Sequence, residues 1–554
     1  MANDGKYRSR ILIEKSVFRV DYVVFWNTLF LNKRIMKREK IYFLLLLFLC
    51  GVVPLCAQDK ISLEGEWFFK VDSTNVGEQQ HWERDAFSQK ISLPGSTDEW
   101  GIGNEYPLFK SILGTNNLEG YPTDADFGML TRKHKYLGKA WYQKKFIIPA
   151  GTKNKKYTLY LERVMWRSKV WIDGNPIGSP VDYLSTPHIY TVGNLTPGEH
   201  SITIQVDNSQ IHPIGTLGHA YCPHMQSQWN GIVGKICLLE TPRISIEHIA
   251  VYPSFKDKIV KTQLELSNDS REKKVTLHLI VKEKSTGKTV AVEKLKLVVE
   301  TGSSTVDHIF TIDGSLLPWD EFTPELYQLE VSLDYSGQKQ VCTTDFGFRD
   351  LGIADKHFTI NGRKFIYRNS HEGMFFGQTG YPATDVDYWR KIWQLYKNHG
   401  FNAVRFHSSC PPEAAFIAAD EVGLYMQVEF FWIDGWMGYK DLIGENNEKL
   451  NDFVLREFKQ AVKMYGNHPS MMLVSFGNEL GGNFEQMGKW IAEVKKDDPR
   501  HYYAAGIAHN ITSADDYVEY GGKNQAQNYE GTDWDYTHNY TVPKAHNYDA
   551  TYQR

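Results

Sequence analysis

Residues 467–480 read Asn-His-Pro-Ser-Met-Met-Leu-Val-Ser-Phe-Gly-Asn-Glu-Leu, an apolar run whose end is a glycine, an amide and a carboxylate. A carboxyl group at the rim of a core suits proton transfer, because partial burial raises its pKa toward neutrality. Cleavage of a glycosidic bond needs two such groups, one protonated to release the leaving oxygen and one ionised to attack or to activate water. Glu479 is one candidate, and Asn478 beside it can exchange hydrogen bonds with a sugar hydroxyl. The plainer alternative makes Glu479 an ordinary polar residue after a buried strand. His371, Arg405, His407, Glu429, Trp432 and Tyr529 also stand at or just past short apolar runs. Arg405 has a plain alternative too: pairing with a carboxylate such as Glu429.

Strands and helices must carry these groups to one place. After Phe348 the chain alternates between the two: strand-like segments at 364–369, 402–407, 424–429, 471–478 and 501–506, with a weak sixth at 524–529. Helical periodicity covers 385–399, the stretch from Pro411-Pro412 to Gly423, about 446–465 and about 483–496. Apolar strands at this spacing predict a parallel sheet buried on both faces and the start of a (β/α)8 barrel, whose catalytic groups sit at C-terminal strand ends. A full barrel takes roughly 250 residues, and too few follow here, so an incomplete (β/α)8 TIM barrel is expected. Upstream, period-two alternation broken by Asp-Gly and Pro-Gly turns predicts two β-sandwiches. The expected division is 1–58 N-terminal extension and leader, 59–242 first sandwich, 243–350 second sandwich and 351–554 partial barrel. The fold class is multidomain β and α/β.

A formal charge of −4 leaves no basic excess to attract phosphate backbones, so nucleic acid is excluded as a partner. Fifteen Trp and 31 Tyr suit stacking on pyranose faces, and equally suit sandwich cores. Met36–Gln58 places Lys37, Arg38 and Lys40 before an apolar run that ends on small residues, the layout of a secretory signal peptide. Export to the periplasm or beyond, with no stable membrane span after its removal, is the expectation. Cys222, Cys237, Cys342 and Cys410 lack metal-ligand spacing and are expected to be mostly plain thiols. No metal and no cofactor is expected; an oligomer stays open.

Residues 467–480 resemble the acid/base signature of glycoside hydrolase family 2, in which Asn-His-Pro-Ser leads at fixed spacing into Gly-Asn-Glu. Val474 and Gly466 depart from it, standing where that family usually has Trp and often a basic residue. Residues 402–427 are similar to the family's second signature at Asn402, Arg405, Asp420 and Gly423, with His407 one residue early. "WNGIVGKI" (229–236) looks like the closing strand of the family's jelly-roll domain. The resemblance implies a jelly-roll sugar-binding sandwich, an immunoglobulin-like sandwich and a TIM barrel. It also implies retaining hydrolysis of terminal β-glycosidic bonds in an oligo- or polysaccharide, β-galactosides foremost. Carried over, Glu479 is the general acid/base and Asn478 binds the sugar 2-hydroxyl, with Arg405, His407, His371, Trp432 and Tyr529 around the substrate. The nucleophile expected at strand seven has no matching motif before Arg554, since Glu519, Glu530 and Asp533 fall near strand six. The expectation is therefore a C-terminally truncated chain, with negligible hydrolysis and poor folding if these 554 residues are the whole product. The alternative is a non-catalytic carbohydrate-binding remnant.

Overall fold

The computed structural model describes residues 59–105, 134–151, 155–214, 221, 228–312, 314–354, 357–374, 376, 378–431, 433, 441–506, 512–520 and 540–543. The leader-like segment Met36–Gln58, the sixth-strand candidate 524–529, Trp432 and Tyr529 lie outside them. No helix among the described residues is long and apolar enough to cross a membrane.

The first sandwich pairs a sheet built on Gly231–Pro242 and Lys155–Val164 with one built on Lys139–Ile148 and Gly198–Asp207. Alternate residues turn inward, so Trp67, Tyr142, Leu159, Leu161, Ile202, Ile204, Ile236 and Leu238 form one buried core. "WNGIVGKI" opens the long strand Gly231–Pro242, which lies between two neighbours at the middle of its sheet. The second sandwich sets Ile244–Ser254, Ile259–Asn268 and Gly302–Thr311 against a four-stranded sheet. In its strand Lys274–Glu283, Val275, Leu277, Leu279 and Val281 are buried and the residues between them are not. Of the cysteines expected as thiols, Cys237 and Cys410 are buried and free, whereas Cys342 is disulfide-bonded.

The third part is a parallel five-stranded sheet in sequence order: β1 (Asn369–Glu372), β2 (Ala403–Phe406), β3 (Tyr425–Phe431), β4 (Met471–Gly477) and β5 (Tyr502–Ala504). Its helices are α1 (Val386–Asn398), α2 (Glu413–Val422), α3 (Glu448–Tyr465) and α4 (Phe484–Asp497). Asp385, Asn447 and Asn483 accept the backbone N–H three residues on, capping α1, α3 and α4, each cap worth about 1 kcal/mol.

Strand parity decides what each face of the sheet meets. Val404, Phe406, Met426, Val428, Val474 and Phe476 pack with Trp389, Trp393, Ala415 and Phe458 of the helices. Ala403, Tyr425, Leu473, Tyr502 and Ala504 face the other way, onto Trp319, Phe358 and Phe365. On that second face Arg405, Gln427, Glu429 and Ser475 are also buried, a polar ladder inside the incipient barrel.

One strand differs from expectation. Arg363–Lys364 turns back onto His357–Ile360 as an antiparallel hairpin, and the first barrel strand begins only at Asn369. Asn361 and Gly362, with φ of 53° and 78°, make the left-handed two-residue turn that favours such a hairpin. Asn402 fixes the later start by accepting from Arg368 N–H at 2.8 Å and donating to Ile366 C=O at 2.9 Å. His371 therefore lies within β1 rather than past its strand.

Polar side chains fasten the barrel to both sandwiches. Asn467 accepts from Val251 N–H and donates to Ile249 C=O and Thr344. Arg349 donates to the carbonyls of Pro469, Met471 and Arg500. His468 pairs with Asp420 at 2.5 Å, while Asp420 also accepts the Ser470 N–H. Burial opposes a charge on His468, but Asp420 and Glu413 outweigh it and hold its pKa up at about 10. From the first sandwich, Leu184 and Ser185 N–H groups donate to the fully buried Glu457 of α3, and Arg163 reaches the carbonyl of Cys410 at 2.6 Å.

Candidate active site

Arg405 is the hub of the C-terminal edge of the sheet. Its Nε donates to Glu429 at 2.5 Å, and a terminal nitrogen of the same guanidinium donates to Asn478 Oδ1 at 2.8 Å. Arg405 is 5% exposed, and Glu429 has no exposure at all. Ser408 and Gln427 also donate to Glu429, both at 3.3 Å, and Tyr367 donates to Gln427 at 3.1 Å. The plain reading of Arg405, an ion pair with Glu429, is thus part of the structure, and the same side chain also grips Asn478.

Register explains the convergence. His371 in β1 lies level with Arg405 in β2, which lies level with Gln427 in β3. The His371 and His407 rings approach to 4.7 Å between centroids. Loss of hydration and the Arg405 guanidinium both push the His371 pKa down, so its ring is neutral at pH 7.

Asn478 and Glu479 follow β4 in a turn with no spare room. The Asn478 N–H donates to Phe431 C=O at 2.9 Å, and Gly481 N–H to Ile433 C=O at 2.7 Å. A Cβ at Gly477 would lie 1.8 Å from the Phe431 oxygen, and one at Gly482, where φ is 131°, 2.0 Å from the Ile443 oxygen. Held between these glycines, Glu479 takes φ of 45°, a left-handed conformation that costs a non-glycine residue about 1–2 kcal/mol. Its carboxyl is half-buried and makes no hydrogen bond to any described residue. Strain of this kind concentrates at functional positions.

Of the seven sequence candidates, the structure gathers His371, Arg405, His407, Asn478 and Glu479 at the ends of β1, β2 and β4; Trp432 and Tyr529 fall outside the described residues. Glu429, already placed by the sequence at a strand end as a partner for Arg405, completes the network with Gln427, Tyr367 and Ser408, which are not among the sequence candidates. Two of them carry a signal in the sequence: Gln427 and Glu429 are polar at i and i+2 in an otherwise apolar strand, the mark of an inward-facing polar row. Among the described residues no group of three or more His, Cys, Asp or Glu is placed to hold a metal ion.

Two family models match the chain: glycosyl hydrolases family 2 over residues 244–349, and its TIM barrel domain over residues 351–541. Together they span more than half of it. The chain belongs to glycosyl hydrolase family 2. Within this family it is similar to a putative beta-glucuronidase of Formosa agariphila, 26% identical over 380 residues, covering 64% of this chain and 42% of that one. It is similar also to a beta-galactosidase of Priestia megaterium, 24% identical over 485 residues, covering 81% and 44%. The chain thus spans less than half the length of either relative. The fold resembles that of Parabacteroides merdae beta-glucuronidase, with a TM-score of 0.63 and 18% identity over 81% of this chain and 57% of that one. A putative beta-galactosidase from Bacteroides fragilis superposes with a TM-score of 0.64 and 16% identity, over 83% and 66%.

Proposed function

We propose that this family 2 chain carries the proton-transferring part of a retaining β-glycosidase site, with Glu479 as general acid/base. The observation that carries the reading is the turn after β4, which presents a strained, half-buried carboxyl unpaired among the described residues, directly after an amide tethered by Arg405. A carboxyl so placed can hand a proton to the leaving oxygen and take one back from water. Asn478, Arg405, His407 and His371 surround the sugar, and Asn478 takes its 2-hydroxyl. Relatives named as beta-glucuronidase and as beta-galactosidase support a terminal β-D-glycoside as substrate, within an oligo- or polysaccharide. The leader-like pattern of Met36–Gln58 supports export.

Turnover and equilibrium binding of aryl β-D-galactosides and aryl β-D-glucuronides test this reading, since binding does not require both carboxylates. One sugar series is expected to bind in preference to the other. Glu479→Gln is expected to lower kcat/KM about 10²–10⁴-fold on substrates with poor leaving groups, and far less on dinitrophenyl glycosides, which leave without a proton. Equal and measurable kcat/KM for wild type and Glu479→Gln on a poor leaving group, or no binding of either series, overturns it.

A further inference from the structure

Glu429 touches no solvent and lies behind Arg405, yet it sits in the same row of side chains as the site. Arg405 offers its planar fork in two directions, Nε to Glu429 and a terminal nitrogen to Asn478 Oδ1. A guanidinium has donors and no acceptor. Turning the Asn478 amide over would set its NH2 against the Arg405 N–H, donor facing donor. Arg405 therefore dictates which end of the amide points away, and Glu429 dictates where Arg405 stands. The Asn478 backbone is itself pinned to Phe431, so side-chain rotation is the freedom left to remove. Asn478 Nδ2 has no hydrogen-bond partner among the described residues.

We propose that Glu429 is a positioning residue: through Arg405 it fixes the Asn478 amide so that Nδ2–H faces the substrate, making Asn478 a donor to a sugar hydroxyl oxygen. The proposal rests on the glycosidase reading for the identity of the ligand, and on geometry alone for the amide. A purely structural Glu429 would leave the amide's orientation and hydroxyl preference untouched.

The experiment has a ligand-free arm and a binding arm. In the first, the full chain is labelled with [15N]asparagine, and the Asn478 side-chain NH2 signal is assigned by its loss in Asn478→Ala. Glu429→Gln is expected to shift and broaden that signal as the amide begins to turn. Arg405→Lys, which keeps a cation but loses the fork, is expected to do the same without uncovering a buried charge. An unchanged signal in both variants overturns the proposal whatever the protein does with sugars. In the second arm, phenyl 1-thio-β-D-galactoside and phenyl 1-thio-β-D-glucuronide are compared with their 2-deoxy counterparts by calorimetry. Wild type is expected to favour the 2-hydroxy sugar of the series it binds by about tenfold. Glu429→Gln is expected to cut that preference to about threefold or less, with affinity for the 2-deoxy sugar within twofold of wild type. A preference left intact in both variants overturns the donor assignment. Failure of wild type to bind any of these sugars refutes the glycosidase reading and, with it, the donor assignment; the ligand-free arm still decides whether Glu429 orients the amide.

Discussion

Replacing Arg405 by methionine removes the cation from behind a fully buried carboxylate while keeping most of the side chain's apolar bulk. Glu429 would lose a charge-assisted bond of 2.5 Å, and Asn478 would lose its tether at 2.8 Å. Hydrogen bonds to charged groups contribute about 1.5–3 kcal/mol each, and breaking a buried pair from one side costs about 3–5 kcal/mol. Arg405→Met is therefore expected to destabilise the parallel sheet by about 3–5 kcal/mol, some two to nearly four orders of magnitude in the opening equilibrium. Because a multidomain chain need not unfold in one step, a single melting midpoint would blur the effect. Native-state hydrogen exchange of amides in Tyr425–Phe431 reads it locally. The double variant Arg405→Met/Glu429→Leu removes both charges and is expected to recover at least half of the loss, since an apolar pair in the same space is often neutral. Exchange within about 0.5 kcal/mol of wild type in Arg405→Met would falsify this reasoning, and so would simple additivity in the double variant.

Two further outcomes follow from the packing. His468 is held at about 10 in the folded protein against an ordinary 6.5, so the stability it contributes is complete below pH 6.5 and fades as the pH rises to 10. A loss on the order of 5 kcal/mol is expected across that window, measured as thermal stability against pH, and His468→Gln is expected to flatten it; an equally steep profile in the variant refutes the assignment. Gly477→Ala places a methyl group 1.8 Å from the Phe431 carbonyl oxygen, so the turn must move or open. Poor soluble yield, or a loss of more than about 3 kcal/mol, is expected in urea unfolding, and a variant as stable as wild type would show that the turn yields freely.

Much of the fold is legible in the sequence where one periodicity rules. The four barrel helices lie within a residue or two of their predicted spans, because capping Asp385, Asn447 and Asn483 and the closing Gly423 are local signals. Composition alone misplaces the first barrel strand, because Lys364–Asn369 is β-like whether it pairs forward or back; the Asn361-Gly362 turn decides in favour of the hairpin. The ends of β2 and β4 can be read as a mouth because apolar runs finishing on Arg405, His407 and Glu479 set polar groups where a core stops. What the sequence hides is partnership. Pairing of Arg405 with Glu429 can be proposed from the sequence, but nothing in the spacing says that Arg405 also grips Asn478, or that the Arg163 side chain, 247 positions upstream of Cys410, holds its carbonyl.

The signature at 467–480 has two ends with different work. Asn467, His468 and Ser470 serve the joint with the second sandwich and the Asp420 clamp, while Asn478 and Glu479 face the mouth. Selection for a stable hinge-free assembly would preserve the first half in a descendant that had abandoned chemistry altogether. Sorting active from silent lineages by motif should therefore weigh Asn478 and Glu479 far above the four residues that open the stretch.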